Sequence, residues 1–281
     1  MRRWTAAAAL LAAAAAPLPA QQMRDFSTSR QHHGESRLST RLEFAAGTLR
    51  LLPGPAGELY RMRLRYDPER FTPVSRFEPV SGVVRLGVEG TGKSGLRVSS
   101  RSQLEQAATI TLSPDVTLAL DLALGATEAD IELGGLRLAA FRLETGASRS
   151  VVRFSEPNAV RCSSAVIESG AAEIALVGLG NSRCEQISFE GGVGKAVLDL
   201  GGTWSADARL SVKMAIGDLT LRLPTETGIR IVMERFLTSF PARGWTREGN
   251  TYLSPGYARA ARHVDVALAS TMGGVRVEWI R

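Results

Sequence analysis

The sequence predicts an all-β fold: a single-stranded, β-helix-like solenoid. Three observations carry this. Five segments between Leu118 and Pro224 repeat one phrase: ALDLALGATEADIEL, FRLETGASRSVVRF, AVIESGAAEIALVG, ISFEGGVGKAVLDL and VKMAIGDLTLRL. Anchored on Gly125, Gly146, Gly170, Gly192 and Gly217, they are spaced by 21, 24, 22 and 25 residues, a period of stacked structural units. Within each unit apolar residues alternate on both sides of the glycine, as Leu120, Leu122 and Leu124 before Gly125, then Ile131 and Leu133 after it. Period two on both flanks means strand, bend, strand. Third, 28 glycines and only 6% aromatic residues suit many short strands and tight bends. One such unit cannot cover its own apolar row; stacking creates a continuous core. The glycines are expected to supply backbone conformations, often at positive φ, that a side chain opposes.

The elements follow in chain order. Met1-Arg2-Arg3-Trp4, an Ala/Leu run to Ala16, then Pro17-Leu18-Pro19-Ala20 read as a cleaved signal peptide over residues 1–20. The apolar run is short for a membrane span of about 20 residues, so the mature protein is expected to be exported, periplasmic or secreted. Residues 21–39 are polar and aperiodic and are expected to be a disordered leader. Residues 40–281 are expected to form a single β-solenoid domain. Leu42–Leu52 repeats the phrase of the last unit and reads as an early rung. Tyr60, Met62, Leu64 and Tyr66 alternate with Arg61, Arg63 and Arg65, a half-buried strand. Strands at Val84–Val88 and Leu96–Val98 complete an N-terminal antiparallel hairpin section. The main repeats run over 118–224, and a capping insertion over 225–263 carries Phe236, Phe240, Trp245, Tyr252 and Tyr257, a candidate cap or partner interface. The final strands run over 264–281.

The stretch ALDLALGATEADIELGGLRL…RLETGASRSVVRFSEPN…VGLGNSRCEQISFEGGVGKAVLDLGGTW…GDLTLRLPTETGIRI resembles the bacterial toast-rack domain. That domain is related to LiaF-like cell-wall-active-antibiotic-response proteins and to β-helical proteins named as adhesins. RLEFAAGTLRLLPG…YRMRLRYDPE looks like the same family's opening. The resemblance covers roughly Leu42–Ile231. It implies a β-helix-like solenoid, an envelope setting and no established catalytic residues. LiaF-like relatives often carry membrane helices; no stretch after the signal segment has that length here.

Chemistry-bearing motifs are few. Gly87–Ser94, GVEGTGKS, fits the P-loop expression, but the following Gly95-Leu96-Arg97-Val98 reads as strand rather than the helix a phosphate site needs. It is read as a Gly-rich turn. His32 and His33 are neighbours on an extended segment and point to opposite faces, so no metal is expected. No GxSxG is present, and no histidine is placed to serve a nucleophile. Glu128, Asp130 and Glu132 form one alternating row, read as a solvated face. No cofactor is expected. Cys162 and Cys184 each lie eight residues before a repeat glycine, so they stack on neighbouring rungs about 4.8 Å apart. That separation suits a disulfide in an oxidising compartment.

Formal charge is +6, and +4 without Arg2 and Arg3. The basic residues are almost all arginine, scattered among acids, and nothing points to nucleic acid. The expected role is a non-enzymatic cell-envelope scaffold or adhesin-like binding protein. Its partner would be an envelope protein or an anionic envelope polymer, with self-association through rung edges. The alternatives are an exported carbohydrate-active β-helix enzyme, distinguished by carboxylates converging in one groove about 5–10 Å apart, and a regulator of an envelope-stress sensor.

Overall fold

A computed structural model describes residues 22–91, 106–236, 240 and 243–281. The expected signal segment over residues 1–20 lies outside these, as do Gly92-Lys93-Ser94 of the P-loop-like stretch and the strand expected at Leu96–Val98.

Seventeen strands are present among the described residues: β1 Arg24–Gln31, β2 Arg37–Pro53, β3 Glu58–Tyr66, β4 Phe71–Glu78, β5 Val83–Gly90, β6 Ala107–Leu112, β7 Thr117–Glu132, β8 Arg137–Thr145, β9 Arg149–Arg153, β10 Cys162–Val177, β11 Cys184–Asp199, β12 Ala208–Pro224, β13 Gly228–Phe236, β14 Thr246–Glu248, β15 Thr251–Leu253, β16 His263–Met272 and β17 Val275–Ile280. The central stack is parallel, and in register but for one shift between Leu118 and Ala119 where β7 meets β8: β2 on β7, β7 on β8 and β9, these on β10, then β11, β12, and finally β16 with β17. At the N-terminal end β2 also pairs with β5 and β6, on which the antiparallel strands β4, β3 and β1 are laid.

Each coil is one long strand, or two shorter ones as in β8–β9 and β16–β17, that turns inward twice over the same core. In β2 the buried residues are Leu38, Thr40, Leu42 and Phe44, then Leu49 and Leu51; in β12 they are Leu210, Val212 and Met214, then Leu219, Leu221 and Leu223. The buried positions change from even to odd across the bend. An uninterrupted strand keeps one parity, so the change requires a local break in which the chain redirects its apolar row. The two half-strands thereby contribute to one core running the length of the stack.

The expected positive φ falls at different glycines from four of the five anchors. Among the anchors only Gly217 is left-handed, at φ 134°, and it stacks on Gly194, at φ 140°, not on Gly192. The last rung interval is therefore 23 residues, as Gln186 opposite Arg209 shows, not 25. At Gly217 a Cβ would collide with the carbonyl oxygen of Gly194 on the rung below. The remaining anchors, such as Gly170, keep ordinary φ and are packed against the preceding rung's backbone, 3.3 Å from an added Cβ to the Gly146 oxygen.

Short returns close the coils, and two asparagines hold them. Buried Asn158 accepts from the Leu138 N–H at 3.0 Å and donates to the carbonyls of Leu138 at 2.7 Å and Ser182 at 3.1 Å. Asn181 repeats the device one coil on, donating to the Phe154 carbonyl at 2.9 Å and accepting from the Thr203 N–H at 2.8 Å. Successive returns also bond backbone to backbone, as the Asn158 N–H does to the Asn181 carbonyl at 2.8 Å, and the side-chain amides satisfy groups that this stacking leaves over.

One expectation needs correcting, and one arrangement is new. Of the leader expected to be disordered over 21–39, residues 24–31 and 37–39 are strand: β1 pairs along its length with β3, and β2 begins at Arg37. A strand on the outer edge needs little apolar content, and Phe26 is the residue that β1 packs against the core. The C-terminal order also differs from the chain order. The final strands lie where expected in the chain, as β16 and β17, but in space β16 lies between β12 and β13, so β13, β15 and β14 stack outside it.

Candidate functional site

In-register stacking puts residues of equal phase directly above one another, and the bend is where this has chemical consequences. Glu144, Glu168 and Glu190 each lie two residues before a repeat glycine and pair in sequence across β8, β10 and β11. Together with Glu43 and Glu89 they line a groove of about 1160 Å³ that runs along the bend over Gly125, Gly146, Gly170 and Gly192. Because those positions carry no side chain, the groove is floored by backbone.

Three like charges on adjacent rungs, about 4.8 Å apart, repel by roughly 0.9 kcal/mol per neighbouring pair in water. Basic residues offset this. The Arg142 guanidinium reaches Glu144 at 2.5 Å and Glu168 at 3.1 Å, bridging two rungs. Lys213, the next residue in the column, reaches Glu190 at 2.6 Å. Arg41 reaches Glu43 at 2.5 Å and Asp121 at 3.0 Å. The hydrogen bond to Glu144 holds the Arg142 guanidinium above its ordinary pKa, that to Glu43 does the same for Arg41, and that to Glu190 raises the Lys213 ammonium. Four of the groove's carboxylates, Glu43, Glu144, Glu168 and Glu190, are therefore each paired with a cation.

The groove has a signal in the sequence that motif reading passes over: the triplet Glu-x-Gly in RLETG, VIESG and SFEGG, at constant phase. The more conspicuous acidic row, Glu128, Asp130 and Glu132, lies on the other half-strand. There Asp130 pairs with Arg153, Glu132 accepts from the Ser155 hydroxyl at 3.0 Å and the Gly134 N–H at 2.7 Å, and Glu128 lies opposite Arg149.

Cys162 and Cys184 are disulfide-bonded, with Cα atoms 4.2 Å apart on directly paired positions of β10 and β11. In the capping segment Phe240, Trp245 and Tyr252 form one cluster, with ring centroids 5.5 Å apart for Phe240 and Trp245 and 4.8 Å for Phe240 and Tyr252. Tyr252 is buried in the core, and Phe240 and Trp245 pack against it. Trp245 also meets Trp279 of β17 at 5.5 Å. Tyr257 lies apart, against His263 at 4.6 Å. Phe236 ends β13, and its side chain lies outside the described residues. His32 bonds through its ring to the Glu35 carbonyl at 2.8 Å in the turn between β1 and β2, and His33 engages Glu35 through its backbone. Among the described residues no three His, Cys, Asp or Glu side chains are grouped to hold a metal. Nor, among them, is any helix long and apolar enough to cross a membrane.

A parallel stack of bent strands with glycine columns and rung-to-rung ion pairs defines a β-solenoid built to repeat. The family model for the N-terminal domain of toast_rack, DUF2154, matches residues 19–177, more than half of the chain, and the chain belongs to that family. No curated protein matches it. Among solved structures it is similar to a "putative cell adhesion protein" from Clostridium sporogenes, at 16% identity and a TM-score of 0.48, covering 92% of this chain and 100% of that one. It is also similar to a "putative adhesin" from Bacteroides fragilis, at 8% identity and a TM-score of 0.41, covering 93% and 99%. A third is a "putative adhesin" from Parabacteroides merdae, at 7% identity and a TM-score of 0.31, covering 92% and 97%.

Proposed function

We propose that this chain is an exported, non-enzymatic scaffold of the cell envelope that holds rows of side chains in fixed register for a binding partner. The observation that carries this reading is the state of the groove. Glu43, Glu144, Glu168 and Glu190 are each tied to Arg or Lys. A carboxylic acid that must donate a proton works instead from surroundings that keep it neutral. An ion-paired ladder stabilises stacked strands and leaves the rows as recognition surface. The basic row Arg61, Arg63 and Arg65 on β3 is the face suited to an anionic envelope polymer, with Arg63 and Arg65 exposed. The aromatic cluster of the capping segment closes the core, since Tyr252 is buried and its neighbours pack on it.

The test is a pull-down from envelope extract with the mature chain, repeated with Arg63→Ala/Arg65→Ala. Capture that disappears in the double variant, with unchanged melting, is expected; capture unaffected by it removes β3 as the binding face. Trp245→Ala tests the cap: a lowered melting temperature with binding intact is expected.

One observation favours the second reading, an exported glycan-cleaving enzyme: Glu144, Glu168 and Glu190 do converge in one groove, at rung spacing. Turnover of envelope polysaccharide by the purified chain, abolished by Glu168→Gln, would replace the scaffold reading with this one.

A further inference from the structure

Among the described residues, one regular strand edge of the stack is left without a strand partner. β16 is paired on both sides, with β12 and with β13. β17 continues the same rung, yet among the described residues it pairs with β12 alone. The orientation of its free groups follows from two hydrogen bonds. The Leu219 N–H donates to the Gly274 carbonyl at 2.9 Å, and the Thr225 N–H donates to the Ile280 carbonyl at 3.0 Å. Both carbonyls point back at β12. Backbone groups alternate along a strand, so those of Arg276 and Glu278 also face β12, and those of Val275, Val277 and Trp279 face away. The open edge therefore offers three N–H donors and three carbonyl acceptors.

The other outer strands are blunted. β4 contains Pro73, which has no N–H to offer; β1 carries Arg24, Asp25 and Arg30; β14 is three exposed residues. Proline, charge and shortness are the usual protections of an edge. β17 has no proline, and its pairing with β12 shows no register shift. Its rim is apolar: Trp279, whose ring meets Trp245 of the capping segment at 5.5 Å, is still 40% exposed, and Met272, at the end of β16, is 59% exposed.

We propose that this edge pairs with the same edge of a second copy of the chain, antiparallel, about a two-fold axis through Val277. In that register Val277 faces Val277, Val275 faces Trp279, and all six outward backbone groups of each copy are satisfied. The charges select it. Arg276 of each copy falls opposite Glu278 of the other. The two adjacent registers that also match the outward groups set Arg276 against Arg276 or Glu278 against Glu278. Directly opposed like charges on neighbouring strands are destabilising and opposite charges stabilising. Glu278 already accepts from Arg222 at 2.9 Å, so the dimer extends that contact into a row of alternating sign across the join. The interface is isologous and closes on itself, which limits assembly at this edge to a dimer. This is independent of what ligand the scaffold binds.

Sedimentation velocity on the purified full chain tests it, with the wild type expected as a dimer at about 100 µM, a level suited to a modest interface. Val277→Pro is the first variant: its lost N–H faces away from β12, so a monomer with unchanged circular dichroism and melting is expected. Arg276→Glu alone and Glu278→Arg alone are each expected to be monomeric, because each sets like charges across the axis. An equimolar mixture of these two is expected to regain the doubled mass. In the mixed pair the introduced carboxylate faces the introduced guanidinium, and the native Glu278 of one copy faces the native Arg276 of the other. A wild type that stays monomeric at that concentration overturns the proposal. So does a dimer that survives Val277→Pro. If Val277→Pro does not fold, the mixture decides: no doubled mass on mixing rejects the pairing.

Discussion

The bend can be tested at Gly217. Its φ of 134° lies where side chains are rarely tolerated, and a Cβ there would run into the Gly194 carbonyl oxygen. Backbone strain of this kind costs about 1–3 kcal/mol. The collision is with backbone in a parallel ladder, so relief requires one rung to move from its neighbour; overpacking of this sort adds about 1–3 kcal/mol. Together about 4 kcal/mol is expected for Gly217→Ala, which for a domain of this size corresponds to a fall in melting temperature of about 8–16 °C. Gly256 supplies the control. It too has a positive φ, 79°, but an added Cβ would meet nothing within 4 Å. Gly256→Ala is expected to cost only the left-handed penalty, about 1–2 kcal/mol. Urea unfolding of both variants, followed by circular dichroism, makes the comparison. If Gly217→Ala is no more damaging than Gly256→Ala, rung-to-rung contact is not what fixes glycine at the bend.

Three further outcomes are expected. Replacing Cys162 and Cys184 by alanine should cost about 3 kcal/mol, from the chain-entropy estimate for the 22-residue separation, and non-reducing denaturation of the native protein should reveal no free thiol. Asn158→Ala leaves buried backbone groups of Leu138 and Ser182 unpaired and should cost about 2–4 kcal/mol in the same unfolding assay. Glu35 gives a pH effect of defined sign: burial pushes its carboxyl up, but backbone N–H donation, from His33 among others, and the nearby Arg30 outweigh this and hold it below its ordinary value of 4.5. A depressed carboxyl stabilises the fold above pH 4.5 and loses that contribution as pH falls through its folded value. Glu35→Gln should therefore flatten the acid dependence of amide exchange in the β1–β2 turn, and an unchanged dependence would refute the assignment.

The repeat is legible in the sequence because parallel stacking writes itself into phase. Leu120, Leu122 and Leu124 before Gly125 and Ile131 and Leu133 after it are the buried residues, and the parity change between them is already in the sequence. The disulfide is legible for the same reason, as two cysteines at one phase. What phase does not show is adjacency between distant segments. β2 stacks on β7 with Arg37 opposite Thr117, and no local pattern encodes which later rung an early one meets. β1 leaves no such trace because an edge strand is stabilised by its neighbour's hydrogen bonds, and RDFSTSRQ has little apolar alternation of its own. The asparagines of the returns, Asn158 and Asn181, do recur at one rung interval, but two polar residues in loops leave no pattern that distinguishes them from ordinary turn residues. The groove glutamates are in phase but less conspicuous than the unbroken alternation at Glu128, Asp130 and Glu132.

The placement of β16 between β12 and β13, with β17 completing the same rung on β12, has a consequence for how the protein comes to be made. As the chain is synthesised, β13 is available before β16, yet its neighbour in the finished stack has not been produced. The edge of β12 must wait, unsatisfied, until the closing residues arrive. The same delay applies at the other end, where β2 waits for β7. Growth rung by rung is possible only from β7 to β12; both ends are completed out of turn. Such non-local closure slows folding and leaves sticky intermediates. A ribosome stalled or a message cut before His263 would therefore release a product whose damage is not confined to its missing strands: β12 would be left bare and β13 without the neighbour it docks on.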